Sequence, residues 1–423
     1  MNLTKKISAI TAAVIAFTML AACGKAAPDE AQTEAPAETA VTSAPAELSL
    51  QKSVIPTVER HEYDIPQNAA LEFTQNMRLG WNIGNTLDAT DDSGVLADDL
   101  SLESACVGPK KTPELINSMK PAGFNTILVP ISWHYHVVEN YTVYEPFMNR
   151  INEVVDYVIA NDMYCIINIH HDIDKDYYYP DNEHLESSQK YTEAIWKQLS
   201  QRFADYGDQL IFEGINEPRL KGTGLEWTGN TNSEKGVEAI ECINKLNQTF
   251  VDTVRASGGN NAERYLMVPG YAAAPDGALT ELFKLPDDTA DNRIIVSVHA
   301  YTPYNFALQE VGGGGSTEAW SMDDPASTSP INDFMDRLYE KFISKGTPVV
   351  IGEFGARNKK ENLQARVDFA AYYVAAARDR GITCCWWDNN AFFGQGENFG
   401  LFDRTGYKWR YGDIVVAMNE YAE

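Results

Sequence analysis

The feature that most constrains the fold is an alternation of short apolar runs with longer amphipathic stretches, repeated eight times along the chain. The apolar runs are rich in Val, Ile and Leu, as expected of parallel strands that are covered on both faces. They are Arg78 to Ile83, Thr126 to Ile131, Tyr164 to Ile169, Leu210 to Ile215, Arg264 to Val268, Arg293 to Val298, Pro348 to Ile351 and Ile382 to Trp387.

Between the runs lie patterns with helical spacing, several of which end at Gly or Asn. The clearest are Phe147 to Ala160, Ser187 to Phe203, Val237 to Arg255, Ile331 to Ile343 and Leu363 to Arg380. Eight alternations over about 350 residues predict an α/β fold, a single (β/α)8 TIM barrel. A doubly wound sheet is the alternative, but neither a GxGxxG nor a Walker loop follows the first strand.

The first 23 residues resemble a bacterial lipoprotein signal. Lys5 and Lys6 precede an apolar run that ends in Leu20-Ala21-Ala22-Cys23. The run is shorter than the roughly 20 residues of a spanning helix, and small residues before a Cys favour cleavage there. We therefore expect a signal peptide over 1–22 and a lipid anchor on Cys23, which places the protein at the cell surface or outer membrane. The alternative is an ordinary secretory signal and a secreted protein.

Residues 23–52 continue as an acidic Ala, Pro, Glu and Thr stretch with almost no large apolar side chains, which predicts a flexible linker. Residues 53–423 then form the barrel domain. The whole chain has 34 Lys and Arg against 60 Asp and Glu, a net charge of −26, so nucleic acid is excluded as a partner. We expect a monomer.

Polar and aromatic residues crowd the ends of the predicted strands, where TIM barrels carry their reactive groups. Two of these residues are acids that directly follow the fourth and seventh strands, Glu217 and Glu353. In a barrel these strands face each other, so the two carboxylates can approach one glycosidic bond from either side, as retaining hydrolysis requires. The alternative is that each acid caps a helix or pairs with Arg219 or Arg357.

Seven stretches together resemble glycoside hydrolase family 5, in particular its bacterial endo-β-1,4-glucanases and xyloglucanases. They are GWNIGNTLDA (Gly80 to Ala89), VPISWHYHV (Val129 to Val137), INIHHD (Ile167 to Asp172), FEGINEPR (Phe212 to Arg219), VHAYTPYNFA (Val298 to Ala307), VVIGEFG (Val349 to Gly355) and WWDNN (Trp386 to Asn390). They occur in order across nearly the whole chain after residue 53.

The resemblance implies a retaining cellulase-like enzyme that cleaves β-glucan by double displacement, with Glu217 as acid/base and Glu353 as nucleophile. The substrate-binding residues that it implies are His170, His171, Asn216, His299, Tyr301, Trp387, Trp81, Trp133 and Trp227. Among them, Asn216 would bind the sugar 2-hydroxyl, Tyr301 would hold Glu353, and Trp387 would form a stacking floor. For Trp81 and Trp133, packing in the core is the alternative.

Two positions depart from the family pattern. Leu128 stands where members carry an Arg beside the nucleophile, and Ser104 to Lys110 lacks an expected Trp-Gly-Asn, with Cys106-Val107-Gly108 in that stretch. An apolar residue at position 128 would raise the pKa of Glu353 and weaken its carboxylate as a nucleophile. Three explanations follow: a weakened enzyme, compensation by Lys110 or Lys111, or a glucan-binding lipoprotein that does not cleave.

A metal-dependent barrel hydrolase is a further alternative, because His134, His136, His170, His171, His299 and Asp172 fall on one face. It leaves both Glu residues without a role, so we expect neither a metal nor a cofactor. A serine hydrolase is less favoured still, because the sequence has no GxSxG. The expected partner is a β-glucan, and the sequence does not choose among cellulose, mixed-linkage glucan and xyloglucan.

Overall fold

A closed barrel of eight parallel strands forms the centre of the computed structural model, which describes Leu48 and residues 52–90, 100–106, 108–229, 231–394 and 396–423. The barrel strands are β1 (Leu79–Ile83), β2 (Thr126–Val129), β3 (Tyr164–Asn168), β4 (Leu210–Glu213), β5 (Leu266–Pro269), β6 (Ile294–His299), β7 (Val349–Phe354) and β8 (Thr383–Asp388). Each strand pairs with the next in sequence, and β8 pairs with β1. The predicted single (β/α)8 barrel and all eight of its strands are confirmed.

Helices surround the barrel. They are α1 (Ala69–Asn76), α2 (Leu102–Ala105), α3 (Pro113–Asn117), α4 (Glu145–Ala160), α5 (Leu185–Arg202), α6 (Glu234–Ala256), α7 (Pro275–Leu279), α8 (Tyr304–Ala307), α9 (Pro325–Lys341), α10 (Leu363–Asp379) and α11 (Gly412–Glu420). Short 3-10 turns occur at Lys120–Ala122, His134–His136, Glu139–Tyr141, Gly259–Ala262, Tyr271–Ala273 and Ile343–Lys345. A two-stranded hairpin of β9 (Phe402–Asp403) and β10 (Lys408–Trp409) follows β8.

The interior of the barrel is layered, as in other barrels of this size. Its lower layer is apolar, and Ala70 of α1 and Met77, which directly follows α1, close it from below. The strand residues of that layer are Leu128, Ile166, Ile211, Met267, Ile295, Val350 and Cys385. The next layer toward the C-terminal ends of the strands is polar and fully buried, and contains Asn82, Asn168, Glu213 and Ser297.

Two irregularities in strand register shape the mouth of the barrel beside β7. One shift falls between Val298 and His299 and brings His299 opposite Glu353. The other falls between Ile351 and Phe354, where β7 pairs with β8. Shifts of this kind re-aim side chains at sheet ends, so they set the direction of the seventh-strand acid.

The helical predictions agree with the structure to within a few residues, except that α9 begins earlier than expected. Asp324 caps it by accepting a hydrogen bond from Ala326 N, so the helix also takes in Pro325 to Pro330, ahead of the predicted start at Ile331. The plug α1 and the β9–β10 hairpin were not predicted.

The residues at the predicted boundary between linker and barrel domain bond to the last helix. The backbone amides of Lys52 and Ser53 donate to Asp413 Oδ2 at 3.0 and 2.7 Å. The predicted signal peptide, Cys23 and most of the predicted linker lie outside the described residues. Within the described part of the chain, no helix combines the length and the apolar character that crossing a bilayer needs.

Candidate active site

Two carboxylates approach one imidazole at the C-terminal mouth of the barrel. The Nδ1 of His299 lies 3.0 Å from Glu217 Oε1 and 3.5 Å from Glu353 Oε1. One oxygen of each acid and a ring nitrogen of His299 all lie within 4.8 Å of one another. The predicted convergence of Glu217 and Glu353 is confirmed.

The cations at this site are closer to Glu217 than to Glu353. Besides its bond with His299, Glu217 has Arg219 Nη1 3.6 Å from its Oε2, so pairing with the following Arg holds in part for this acid. Arg357 instead donates to the backbone oxygen of Leu308 at 2.6 Å. The contacts of Glu353 are the longer one to His299 and a hydrogen bond from Tyr301 OH to its Oε2 at 2.8 Å, which the sequence also predicted.

In keeping with this asymmetry, the pKa values of the two acids shift in opposite directions. Burial raises the pKa of Glu353 to about 8, and the charge of Glu217 adds to the rise while that of His299 opposes it. Burial acts on Glu217 in the same direction, but the hydrogen bond and charge of His299 outweigh it and lower the pKa. Burial disfavours protonated His299, yet its two acidic neighbours raise its pKa to about 9.

Leu128, singled out in the sequence analysis, lies beneath this group in the apolar layer of the barrel. A Cβ built on Gly352 would lie 3.6 Å from Leu128 Cδ1 and 3.3 Å from His299 Nε2, so the methyl and the ring flank the same backbone. His299 Nε2 and Asn82 Oδ1 are buried, and neither has a hydrogen-bond partner among the described residues. Asn82 is the register partner of Leu128. The Leu128 side chain therefore has polar neighbours with which it cannot form hydrogen bonds.

The structure does not place the ammonium group of a neighbouring lysine at Glu353, where it could compensate for Leu128. Lys110 Nζ lies 3.8 Å from Glu153 Oε2, and Lys111 Nζ donates to Pro109 O at 2.7 Å. Both ammonium groups are therefore engaged with atoms other than those of Glu353. Val107, in the second departure from the family pattern, lies outside the described residues.

A buried network below the acids was missed by the sequence reasoning. Glu213 Oε2 accepts from Asn168 Nδ2 at 2.9 Å, and its Oε1 bonds Ser297 Oγ. The same Asn168 amide lies 3.1 Å from His170 Nδ1 and 3.5 Å from Asn216 Oδ1. Burial raises the pKa of Glu213. Glu213 is the last residue of β4 and follows the inward-facing alternation from Ile211, which was the available signal.

Two of the predicted ligand-binding rings form one wall of the mouth. His170 and Trp387 stack with an interplanar angle of 3° and centroids 5.7 Å apart. The backbone of Gly84 runs against the indole, since a Cβ there would come within 2.7 Å of it.

His171 is partly exposed, and its Nε2 lies 3.8 Å from Asp88 Oδ2. Burial lowers the pKa of His171 to about 4 and raises that of Asp88 to about 6.

The expectation that Trp81 and Trp133 bind sugar is wrong, and the core alternative holds for both. Each is fully buried. The indole N–H of Trp81 donates to Asp388 Oδ2 at 3.0 Å, and that of Trp133 donates to Asn168 O at 2.9 Å. Trp227 is 40% exposed, and the Arg219 guanidinium lies 4.1 Å from its ring centroid. It therefore still offers a face to a ligand.

Three groups of described residues bring metal-ligand atoms within 4.8 Å of one another: Asp88 with His170 and His171, Asp181 with Glu183 and His184, and the acid pair with His299. Asp88 already accepts backbone N–H bonds from Asn85 and Thr86 at 3.0 and 2.7 Å. Its carboxylate is thus used to hold the turn after β1.

Comparison with known proteins agrees with this geometry. Residues 90–393 match the family described as Cellulase (glycosyl hydrolase family 5). Endoglucanase 1 of Ruminococcus albus is 39% identical over 425 residues, covering 99% of this chain and 98% of its own.

Among solved structures, a glycoside hydrolase 5 lichenase variant of Caldicellulosiruptor sp. F32 with cellotetraose is 55% identical, with a TM-score of 0.87, over 88% of this chain and 100% of its own. A broad-specificity endoglucanase of Ruminococcus champanellensis with bound cellotriose is 43% identical, with a TM-score of 0.76, over 84% and 99%. The chain therefore belongs to glycosyl hydrolase family 5, the cellulase family, and is a glycoside hydrolase.

Proposed function

We propose that this enzyme is a retaining endo-β-1,4-glucanase with Glu217 as acid/base and Glu353 as nucleophile. The observation that carries the proposal is the close approach of the two carboxylates, whose nearest oxygens lie within 4.8 Å. Retaining enzymes place their acids about 5 to 5.5 Å apart, whereas inverting enzymes leave at least about 6.5 Å for a water. The short separation favours direct attack by a carboxylate.

The reaction follows in two displacements. Glu217 donates its proton to the glycosidic oxygen while a Glu353 oxygen attacks the anomeric carbon, so the glycosidic bond breaks and a glycosyl ester forms. Glu217 then takes a proton from water, whose oxygen attacks the same carbon and releases Glu353. His299 bridges both acids and is placed to stabilise whichever one is charged.

The surrounding residues orient the sugar. Asn216 lies three residues after the end of β4 and is 3% exposed, so its amide is held at the mouth, where a sugar 2-hydroxyl would lie. Trp387 and His170 provide a flat wall, and His171 and Trp227 supply further contacts at the rim. Tyr301 holds one oxygen of Glu353 and leaves the other for attack.

Leu128 is proposed to weaken this enzyme. Double displacement needs Glu353 ionised and Glu217 protonated, but the cations at the site lie closer to Glu217 and favour the opposite arrangement. A guanidinium in place of Leu128 would supply Glu353 with the missing positive partner. Hydrolysis with a reduced rate is therefore the expected behaviour.

The proposed substrates are β-glucans, by analogy with the cellotetraose and cellotriose that the related enzymes bind. The test is reducing-sugar release from mixed-linkage glucan by the wild type, Glu353→Gln and Glu217→Gln, with the anomer of the first product followed by NMR. Loss of activity in both variants and a β-anomeric product are expected. An α-product, or equal release by Glu353→Gln, would contradict the assignment.

The same assay separates the alternatives. Glucan binding without any release by the wild type would support a surface protein that only captures glucan. Activity that survives exhaustive chelation would rule out a metal-dependent hydrolase, because a catalytic metal is needed at every turnover.

We also propose that Cys23 anchors the enzyme to the membrane after cleavage of residues 1–22. The support is the signal-like sequence before Cys23. Replacement Cys23→Ser should move the activity from the membrane fraction to the medium. Equal membrane association of both proteins would contradict lipidation and favour another mode of retention.

A further inference from the structure

A second concavity opens on the catalytic face beside the acid pair. It is formed by the loops that follow β6, β7 and β8, and its volume is about 270 Å³. Its lining includes Glu310 and Val311, Arg357 and Lys359, and Phe393 and Asn398. This volume is close to the lower bound of small-molecule sites, roughly 300 Å³, so the space suits a small ligand such as one sugar ring.

The walls of this pocket are fixed by hydrogen bonds. The Arg357 guanidinium donates to Leu308 O at 2.6 Å, which ties the β7 loop to the β6 loop. The amide N–H of Asn358 donates to Asn398 O at 2.8 Å, which ties the β7 loop to the β8 loop. Lys359 Nζ donates to Asn305 O at 2.7 Å. The cavity is thus built by the fold.

The lining combines an aromatic face with polar groups, as carbohydrate sites do. Phe393 is 59% exposed and Val311 is 56% exposed, the two most exposed large hydrophobic residues of the described catalytic face. Opposite charges mix around them, with Arg357, Lys359 and Lys360 against Glu310 and Glu361. A nearly balanced lining favours a neutral, hydroxyl-rich ligand over a polyanion.

The pocket lies close to the catalytic mouth. The ring of Phe399, next to Asn398, lies 5.3 Å from that of Tyr301, which bonds Glu353. Contacts between neighbouring aromatic rings thus join the wall of the pocket to Glu353.

We propose that this pocket is an accessory subsite that binds a neutral glycosyl unit of the glucan being cleaved, with Phe393 stacking on its apolar face. The proposal rests on the proposed glucanase function. A polysaccharide can supply such a unit from a branch or from its backbone, and both present the same hydroxyls to the polar lining.

The test compares Phe393→Ala with wild type on xyloglucan, on linear mixed-linkage glucan and on an aryl cellobioside too short to fill the pocket. Loss of the stacking face should raise KM about tenfold with little change in kcat. A rise on xyloglucan alone would identify a branch, and a rise on both polysaccharides would identify a backbone unit. Phe393→Tyr, which keeps the ring, should restore the wild-type KM.

Leu285→Ala is the control, since Leu285 is also exposed (38%) but precedes β6 at the opposite end of the barrel. The proposal is overturned if Phe393→Ala leaves KM unchanged on both polysaccharides, or lowers activity equally on all three substrates. Glu353→Gln measured in parallel reports on the glucanase assignment itself. If that variant is inactive while Phe393→Ala has no effect, only the subsite fails.

Discussion

At the scale of single residues, the proposed mechanism makes the ionisation of Glu353 depend on position 128. That mechanism needs Glu353 in its charged form, so the rate should fall as the pH drops through its pKa, about 8. A positive neighbour favours the carboxylate and lowers that pKa. Leu128→Arg should therefore move the acid limb of the pH–rate profile to lower pH and raise kcat/KM at pH 6 by about tenfold or more.

Two controls accompany that substitution. Leu128→Met keeps an apolar side chain of similar volume and should leave the profile unchanged. Leu128→Gln adds an uncharged hydrogen-bonding side chain at the register position opposite Asn82, whose buried Oδ1 has no partner among the described residues. If Arg and Gln shift the profile equally, hydrogen bonding rather than charge governs the nucleophile; no shift with Arg would mean that this chain ionises Glu353 by another route.

Glu213 is a second residue whose chemistry is set by burial. It is 0% exposed, and its described partners, Asn168 and Ser297, are neutral. Glu213→Leu would leave both partners unsatisfied and should cost about 2 to 3 kcal/mol of unfolding free energy. Glu213→Gln keeps one acceptor and gains a donor, and should stay within about 1 kcal/mol of wild type.

Urea unfolding measures both values, and kcat on a short substrate shows whether the network also positions Asn216. Equal stability of the Leu and Gln variants would show that the network contributes no net stability.

Prediction from sequence succeeded for the convergence of the two acids and failed for two indoles, for a reason visible at this scale. Glu217 lies just after β4 and Glu353 lies near the end of β7, and in a barrel the C-terminal ends of the strands meet at one mouth. Trp81 and Trp387 also lie on strands, but burial of Trp81 depends on Asp388, which is 307 residues away in sequence. Strand spacing carries no information about that partner.

At the scale of elements, a buried ion pair closes the seam between the first and last strands. Arg404, fully buried, donates to Gly84 O at 2.7 Å and Thr86 Oγ1 at 2.9 Å, and its guanidinium lies 3.4 Å from Asp388 Oδ1. Asp388 Oδ2 in turn accepts from the backbone amides of Leu401 and Phe402. The loop after β1, the end of β8 and the hairpin are thereby joined.

Arg404→Met should destabilise the protein by about 3 to 5 kcal/mol, because it leaves Asp388 charged, buried and without its cation. Asp388→Asn combined with Arg404→Met should cost less than the sum of the two single changes. Arg410→Met is the matched control, since Arg410 is 36% exposed and its pair with Asp403 spans 3.5 Å, so its loss should cost under about 1 kcal/mol. Thermal and urea unfolding provide the comparison.

The strands were predictable and their irregularities were not. Apolar runs mark parallel strands because helices and barrel interior cover both faces. The register shifts beside Val298 and Ile351 leave no trace in that pattern, yet they aim His299 and Glu353. The plug α1 was missed because an eight-residue amphipathic segment carries little periodic signal.

At the scale of the whole molecule, the net charge of −26 makes the apparent activity depend on the charge of the polysaccharide used. Carboxymethylcellulose is a polyanion, whereas mixed-linkage glucan is neutral. The Debye length falls from about 30 Å at 0.01 M salt to about 8 Å at 0.15 M. Repulsion between the enzyme and an anionic chain should therefore weaken strongly over this range.

We accordingly expect KM for carboxymethylcellulose to fall severalfold between 0.01 and 0.15 M salt, and KM for mixed-linkage glucan to change less than about twofold. Initial rates on both substrates at fixed pH measure the effect. Equal changes in KM on the two substrates would mean that salt acts on the acid pair or on folding, and not on the association of the enzyme with the polysaccharide. Because Leu128→Arg also adds a positive charge, its effect is best measured on the neutral glucan, where only the change at Glu353 contributes.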